Sequence, residues 1–173
     1  MIQGREPFQE GQFKGVAIPE EIASPITLAP SFFAVGEMHA VLRGEIAAAH
    51  AYLKITEKMR LHRAGGAPSL LQDIHEEHLQ SVAFWKIQLR EEGEVAEDEA
   101  GAWGWMVDAL VDTAGWLGDK AAYSILKKGE ELALRRYEML LQQECLTLAQ
   151  EDHVRLVCIP RQQSHIYALG LAE

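Results

Sequence analysis

Four stretches of the chain place apolar residues at every third or fourth position, and this spacing constrains the fold more than any other feature. The stretches are Ser31 to about Arg63, Ser69 to about Gly93, Asp119 to about Leu140 and about Thr147 to Leu169. A period near 3.6 residues gives each helix one apolar face. Four long amphipathic helices can bury these faces against one another, which predicts an all-α four-helix bundle over residues 31–173.

The segments between the stretches predict how the helices are connected. Short breaks, such as Ala-Gly-Gly-Ala-Pro at 64–68, predict that the first two helices and the last two each form an antiparallel hairpin. The second and third helices are joined by a long crossover with an acidic stretch (91–99) and a short helix containing Trp103 and Met106. Residues 1–30 hold four of the six prolines and predict an irregular N-terminal arm. Pro160 should kink the last helix.

The composition of the chain makes several kinds of partner and location less favourable. The net charge of −10 makes nucleic acid a poor partner, because phosphate backbones repel such a surface. No run of about 18 apolar residues predicts a membrane span. No signal peptide is visible either, so we expect a cytoplasmic protein. Cys145 and Cys158 are expected to be reduced and packed, with a disulfide as the alternative.

Six polar residues lie on the faces that should be buried. They come from all four helices and are Glu45, His75, His78, Glu130, Gln162 and His165. A buried carboxylate persists only when it is paired, protonated or bound to a cation. Carboxylate and imidazole groups that converge in a bundle form the donor set of a divalent metal site. The pattern therefore predicts a metal centre.

An internal repeat supports this prediction. Both Glu45 and Glu130 follow a glycine, and each has a tyrosine seven residues later, Tyr52 and Tyr137 respectively. A histidine follows each glutamate after 33 or 35 residues, so the chain resembles two related hairpins. The first hairpin brings Glu45 level with His78 only if its first helix frays early. If that helix continues to Arg63, Glu45 should lie below His78.

The spacing of these residues resembles the ferritin-like superfamily, in particular its rubrerythrin branch. Five short strings in order are similar to an uncharacterised bacterial ferritin-like family over about residues 33–170: Leu-Arg-Gly-Glu-Ile (42–46), His-Glu-Glu-His (75–78), Gly-Asp-Lys-Ala-Ala (118–122), Lys-Lys-Gly-Glu-Glu (127–131) and Pro-Arg-Gln-Gln-Ser-His (160–165). The resemblance implies that Glu45 and Glu130 are terminal carboxylate ligands and that His78 and His165 are imidazole ligands. Tyr52 and Tyr137 would donate hydrogen bonds to the carboxylates.

The chain departs from that family at the two bridging positions. Di-iron members carry a glutamate three residues before each ligand histidine, whereas this chain has His75 and Gln162. Two cations a few ångströms apart repel strongly, and here they would lack the bridging negative charges. We therefore expect a single Fe, Mn or Zn ion, with a metal-free site held by hydrogen bonds as the alternative.

Two functions from different classes follow. The first is a ferritin-like metalloprotein with a non-standard centre, in iron handling or oxidative stress, whose small-molecule substrate and reaction the sequence does not identify. The second is a metal-free helical scaffold or dimerisation module whose di-iron site has decayed. A homodimer is expected, and under the second function the aromatic residues of the short crossover helix would build the subunit contact. A zinc hydrolase is disfavoured, because His75 and His78 are spaced i, i+3 rather than i, i+4.

Overall fold

The computed structural model describes residues 32–62, 69–101 and 118–172. These three ranges contain helices and no strand. In chain order the helices are α1 (Phe32–His62), α2 (Ser69–Glu91), α3 (Asp119–Gln142), α4 (Leu148–His153) and α5 (Ile159–Ala172). A five-residue π-helical turn, Val154–Cys158, joins α4 to α5, so that the three segments form one long helix.

Four long helices pack in two pairs. The most extensive contacts join α1 to α2 and α3 to α5, and a smaller set joins α1 to α3. The all-helical class is therefore as predicted, and the arrangement is compatible with a four-helix bundle. The predicted N-terminal arm (1–30) and the short crossover helix near Trp103 lie outside the described residues.

The described residues form two apolar core clusters, and all four long helices contribute to both. The first cluster includes Tyr52, Ile55, Leu71, Leu126 and Leu169. The second includes Met38, Leu42, Trp85, Leu140 and Val154. Along α1, α2 and α3 the buried ionisable residues Glu45, His78 and Glu130 lie between the residues of these two clusters. The packing thus places a polar layer between two apolar ones.

The π-helical turn lies directly before Pro160. The backbone N–H of Ile159 donates to the carbonyl of Val154, five residues earlier. Pro160 has no N–H and its ring would clash with the carbonyl four residues before it in a regular helix. The wider turn leads into the segment that carries Gln162 and His165. Turns of this kind are rare in proteins, and those that occur are often found at functional sites.

Within the part of the chain that the structure describes, each helix is too short or too polar to cross a lipid bilayer.

Candidate metal centre

The polar layer contains two carboxylates and two imidazoles. Glu45 comes from α1, His78 from α2, Glu130 from α3 and His165 from α5. Each of these residues is at most 4% exposed. Because each residue lies on the apolar stripe of its helix, the burial of the stripes against one another brings the four groups together.

His78 connects the two carboxylates. Its Nδ1 lies 2.7 Å from Oε2 of Glu45, and its Nε2 lies 3.1 Å from Oε1 of Glu130. Both ring nitrogens can donate only in the imidazolium form. Burial disfavours that charge, but the carboxylates of Glu130 and Glu45 outweigh it and raise the pKa of His78 to about 10. Without a metal, His78 is therefore a buried cation at neutral pH.

Glu130 makes the largest number of contacts in the centre. Its Oε1 accepts hydrogen bonds from the Tyr52 hydroxyl at 2.6 Å and from His78, and its Oε2 lies 3.2 Å from Nδ1 of His165. Burial acts to raise its pKa, but the charge of His78 and the hydrogen bonds from both histidines lower the pKa of Glu130 to about 2. Glu130 is therefore a buried, ionised carboxylate.

The two tyrosines bond crosswise between α1 and α3. Tyr52 of α1 donates to Glu130 of α3, while Tyr137 of α3 donates to Oε1 of Glu45 of α1 at 2.7 Å. The Tyr137 oxygen also accepts from Nε1 of Trp85 at 3.2 Å. Burial, together with the adjacent carboxylates, holds the pKa of both tyrosines well above its usual value. Both hydroxyls therefore remain protonated donors.

A third carboxylate, that of Glu77, extends the centre toward the surface. Nε2 of His165 lies 2.9 Å from Oε2 of Glu77, whose side chain is 39% exposed. Arg161 lies 3.7 Å from the same carboxylate. Glu77 lies one residue away from the buried stripe of α2, so the sequence pattern does not predict its contact with His165. A chain of polar groups thus leads from Glu130 through His165 to solvent.

The structure does not bring His75 into the centre. Nδ1 of His75 donates to the backbone carbonyl of Ala49 at 2.9 Å, and the side chain is half-buried against α1. Gln162 is buried, and its Oε1 has no hydrogen-bond partner among the described residues. Neither position supplies the carboxylate that a bridged pair of metal ions requires. The expected offset between Glu45 and His78 does not occur, although α1 continues to His62.

Three of these residues can hold one metal ion. One ligand atom from each of His78, Glu130 and His165 lies within 4.8 Å of the others, and all three side chains are buried. Glu45 lies on the far side of the His78 ring from Glu130, at the opposite ring nitrogen. The donor set is therefore two imidazoles and one carboxylate.

The cysteines add no thiolate to this set. Both are free, and burial raises the pKa of the Cys158 thiol to about 12, although its hydrogen bond with Tyr137 opposes this rise. A thiol of this kind stays protonated at neutral pH and is unreactive.

No protein-family model, curated protein or solved structure matches the chain.

Proposed function

We propose that this protein binds one divalent transition metal ion through His78, Glu130 and His165. The observation that carries the proposal is the convergence of these three buried donors from three different helices within 4.8 Å. Burial of an ionised carboxylate is costly unless a cation compensates for it, and a metal ion is such a cation.

The distances between the donors fit a single ion. Two ligand atoms bound to one tetrahedral ion at about 2.1 Å lie roughly 3.4 Å apart. The two imidazole nitrogens lie 3.1 Å and 3.2 Å from the Glu130 oxygens. Small side-chain movements would therefore place an ion between them, and His78 would release its Nε2 proton on binding.

The remaining ring nitrogens are already oriented by carboxylates. Nδ1 of His78 faces Glu45, and Nε2 of His165 faces Glu77. Metal-ligating histidines usually donate their other N–H to a carboxylate, which fixes the ring and increases its basicity. Glu45 therefore acts in this proposal as a positioning residue for His78 rather than as a terminal ligand.

The donor types select among metals. Imidazole ligands suit Zn and Fe, whereas Mn prefers carboxylates and water, so the centre favours Fe²⁺ or Zn²⁺. Three protein ligands leave at least one coordination position open, as in catalytic sites rather than structural ones. An ion held there would act as a Lewis acid on a bound small molecule. The order of the ferritin-like strings supports a role in iron handling or oxidative stress.

Metal content is the direct test. Protein purified without a nickel column should contain close to one Fe or Zn ion per chain by elemental analysis. After chelation, added Fe²⁺ or Zn²⁺ should raise the melting temperature. Glu130→Ala and His165→Ala should abolish both effects, whereas His75→Ala, outside the centre, should retain them. A wild-type protein that neither contains metal nor responds to it would refute the proposal.

A metal-free scaffold is the second candidate, and one observation favours it. Each donor of the centre already has a hydrogen-bond partner, because His78 bridges both carboxylates and each tyrosine satisfies one of them. The centre is thus self-consistent without an ion. Under this alternative, added metal should leave the melting temperature unchanged, and the histidine variants should affect only folding.

A further inference from the structure

A pocket of about 350 Å³ lies between α1 and α3 and ends at the polar centre. Its walls are mainly small or aliphatic side chains, including Ala47, Ala48, Ala51, Ile125, Leu126 and Ala133. The carboxylates of Glu45 and Glu130 lie at its buried end together with His78. The pocket therefore approaches the centre from the face that does not carry Glu77.

The pocket reaches the protein surface where α1 and α3 are both exposed. Gly44 of α1 and Gly129 of α3 border it, and a Cβ atom added at either residue would meet no other atom within 4 Å. Leu132, which is 53% exposed, lines the same part. The mouth is thus wide and partly apolar.

The volume limits the size of a ligand. An apolar cavity of about 150 Å³ is enough to bind benzene, so a cavity more than twice as large accommodates roughly ten to twelve non-hydrogen atoms. Binding pockets of this size are typically lined by apolar groups with a few polar groups that fix orientation. Both features are present here.

Charge determines the orientation of a ligand. Without a metal ion, the carboxylates of Glu45 and Glu130 at the buried end outnumber the single imidazole between them, His78, so this end repels an anionic group. Two cationic side chains, Lys128 and Arg136, line the pocket nearer the surface, and Lys128 is exposed. Arg136 also pairs with Glu37 at 3.2 Å. An amphiphile would therefore place its anionic end at the mouth and its apolar end at the centre.

We propose that the pocket binds a small carboxylic acid with an aliphatic or aromatic body. The apolar body lies between α1 and α3, and the carboxylate lies beside Lys128. The binding of this molecule depends on the pocket alone and not on the proposed metal centre. The two can therefore be tested separately.

Calorimetric titration with octanoate tests the inference, with octylammonium as the probe of equal length and opposite charge. Octanoate should bind at least tenfold more tightly than octylammonium. Lys128→Gln should reduce that preference to less than threefold. Equal affinity for the two probes would overturn the assignment of an anionic ligand.

Glycine variants show whether the ligand occupies this pocket. Gly44→Leu and Gly129→Leu place a side chain in the mouth and should weaken octanoate binding more than tenfold. Gly36→Leu is the matched control, because Gly36 is also an exposed glycine of α1 with open space around an added Cβ, but it does not line the pocket. It should bind octanoate within twofold of the wild type. Unchanged binding in both mouth variants would overturn the proposal.

Titrations of metal-free and Zn²⁺-loaded protein separate this inference from the proposed function. Octanoate binding without any metal uptake would reject the metal centre and retain the pocket. Metal uptake without octanoate binding would reject the pocket and retain the metal centre.

Discussion

The two buried tyrosines form a matched pair that tests the geometry of the centre. Tyr52 and Tyr137 are each 1% exposed, and each donates one hydrogen bond to a buried carboxylate. They differ in their other neighbours, because the Tyr137 oxygen also accepts a hydrogen bond from the indole N–H of Trp85 and has a weak hydrogen bond with the Cys158 thiol. Replacement of each tyrosine by phenylalanine should therefore have unequal effects on stability.

The difference can be worked out from these contacts. Loss of one hydrogen bond to a charged group costs about 1.5–3 kcal/mol, which is the expected effect of Tyr52→Phe. Tyr137→Phe loses the same kind of bond and also leaves a buried indole N–H without its acceptor, at a further cost of about 1–3 kcal/mol. We therefore expect the free energy of unfolding to fall by about 2 kcal/mol for Tyr52→Phe and about 4 kcal/mol for Tyr137→Phe.

Urea unfolding followed by circular dichroism in a chelating buffer measures both values. A double-mutant cycle with Trp85→Phe then isolates the contribution of the indole, since Tyr137→Phe should cost no more than Tyr52→Phe once Trp85 is absent. The reasoning is refuted if Tyr137→Phe costs no more than Tyr52→Phe in the wild-type background, or if the cycle shows no coupling.

Three further predictions concern the charges and ligands of the centre. The free energy of unfolding of the metal-free protein should be highest between about pH 4.5 and 6.5, the ordinary pKa values of Glu130 and His78. It should fall by up to about 1.4 kcal/mol per pH unit toward pH 10, because folded His78 retains a proton that the unfolded chain releases. It should also fall below pH 4.5 as Glu130 is protonated, and urea titrations that are flat from pH 7 to 9 would contradict this assignment. Glu45→Gln should weaken metal binding about 10- to 100-fold in a competition assay. A complete loss would instead make Glu45 a ligand. His75→Ala should change metal affinity less than twofold, and a tenfold loss would place His75 in the centre.

The sequence predicts the helices and the inward-facing groups well, because both follow from one periodicity. Carboxylate and imidazole side chains are unusual on the apolar face of a helix. Their presence there identifies the buried polar residues Glu45, His78, Glu130 and His165. The partners of Tyr52 and Tyr137 were less predictable. Each tyrosine lies two turns from the glutamate of its own helix and bonds to the glutamate of the other, which depends on the register between α1 and α3.

Helix geometry also explains the positions that the sequence pattern misjudged or missed. Three residues correspond to about 300° of helical rotation, so His75 is turned about 60° from His78. That rotation is enough to direct His75 to the Ala49 carbonyl. Glu77 is turned about 100° from His78, away from the buried stripe, and only the packing of α2 beside α5 reveals its contact with His165. At Pro160 the sequence shows that one backbone N–H donor is missing. It does not show the π-helical turn before Pro160, because that turn depends on how the backbone moves to accommodate the ring.

The crosswise tyrosine bonds have a consequence for how the two hairpins recognise each other. Each hairpin supplies a histidine to its own buried glutamate, but the tyrosine hydroxyl that bonds this glutamate comes from the other hairpin. Apolar faces alone can pack in several registers at similar free energy. A buried hydrogen-bond acceptor is satisfied only in the register that places its donor beside it. The two hairpins thus exchange hydrogen-bond donors. A slipped arrangement that buries the same apolar area would lose these bonds and would be less stable.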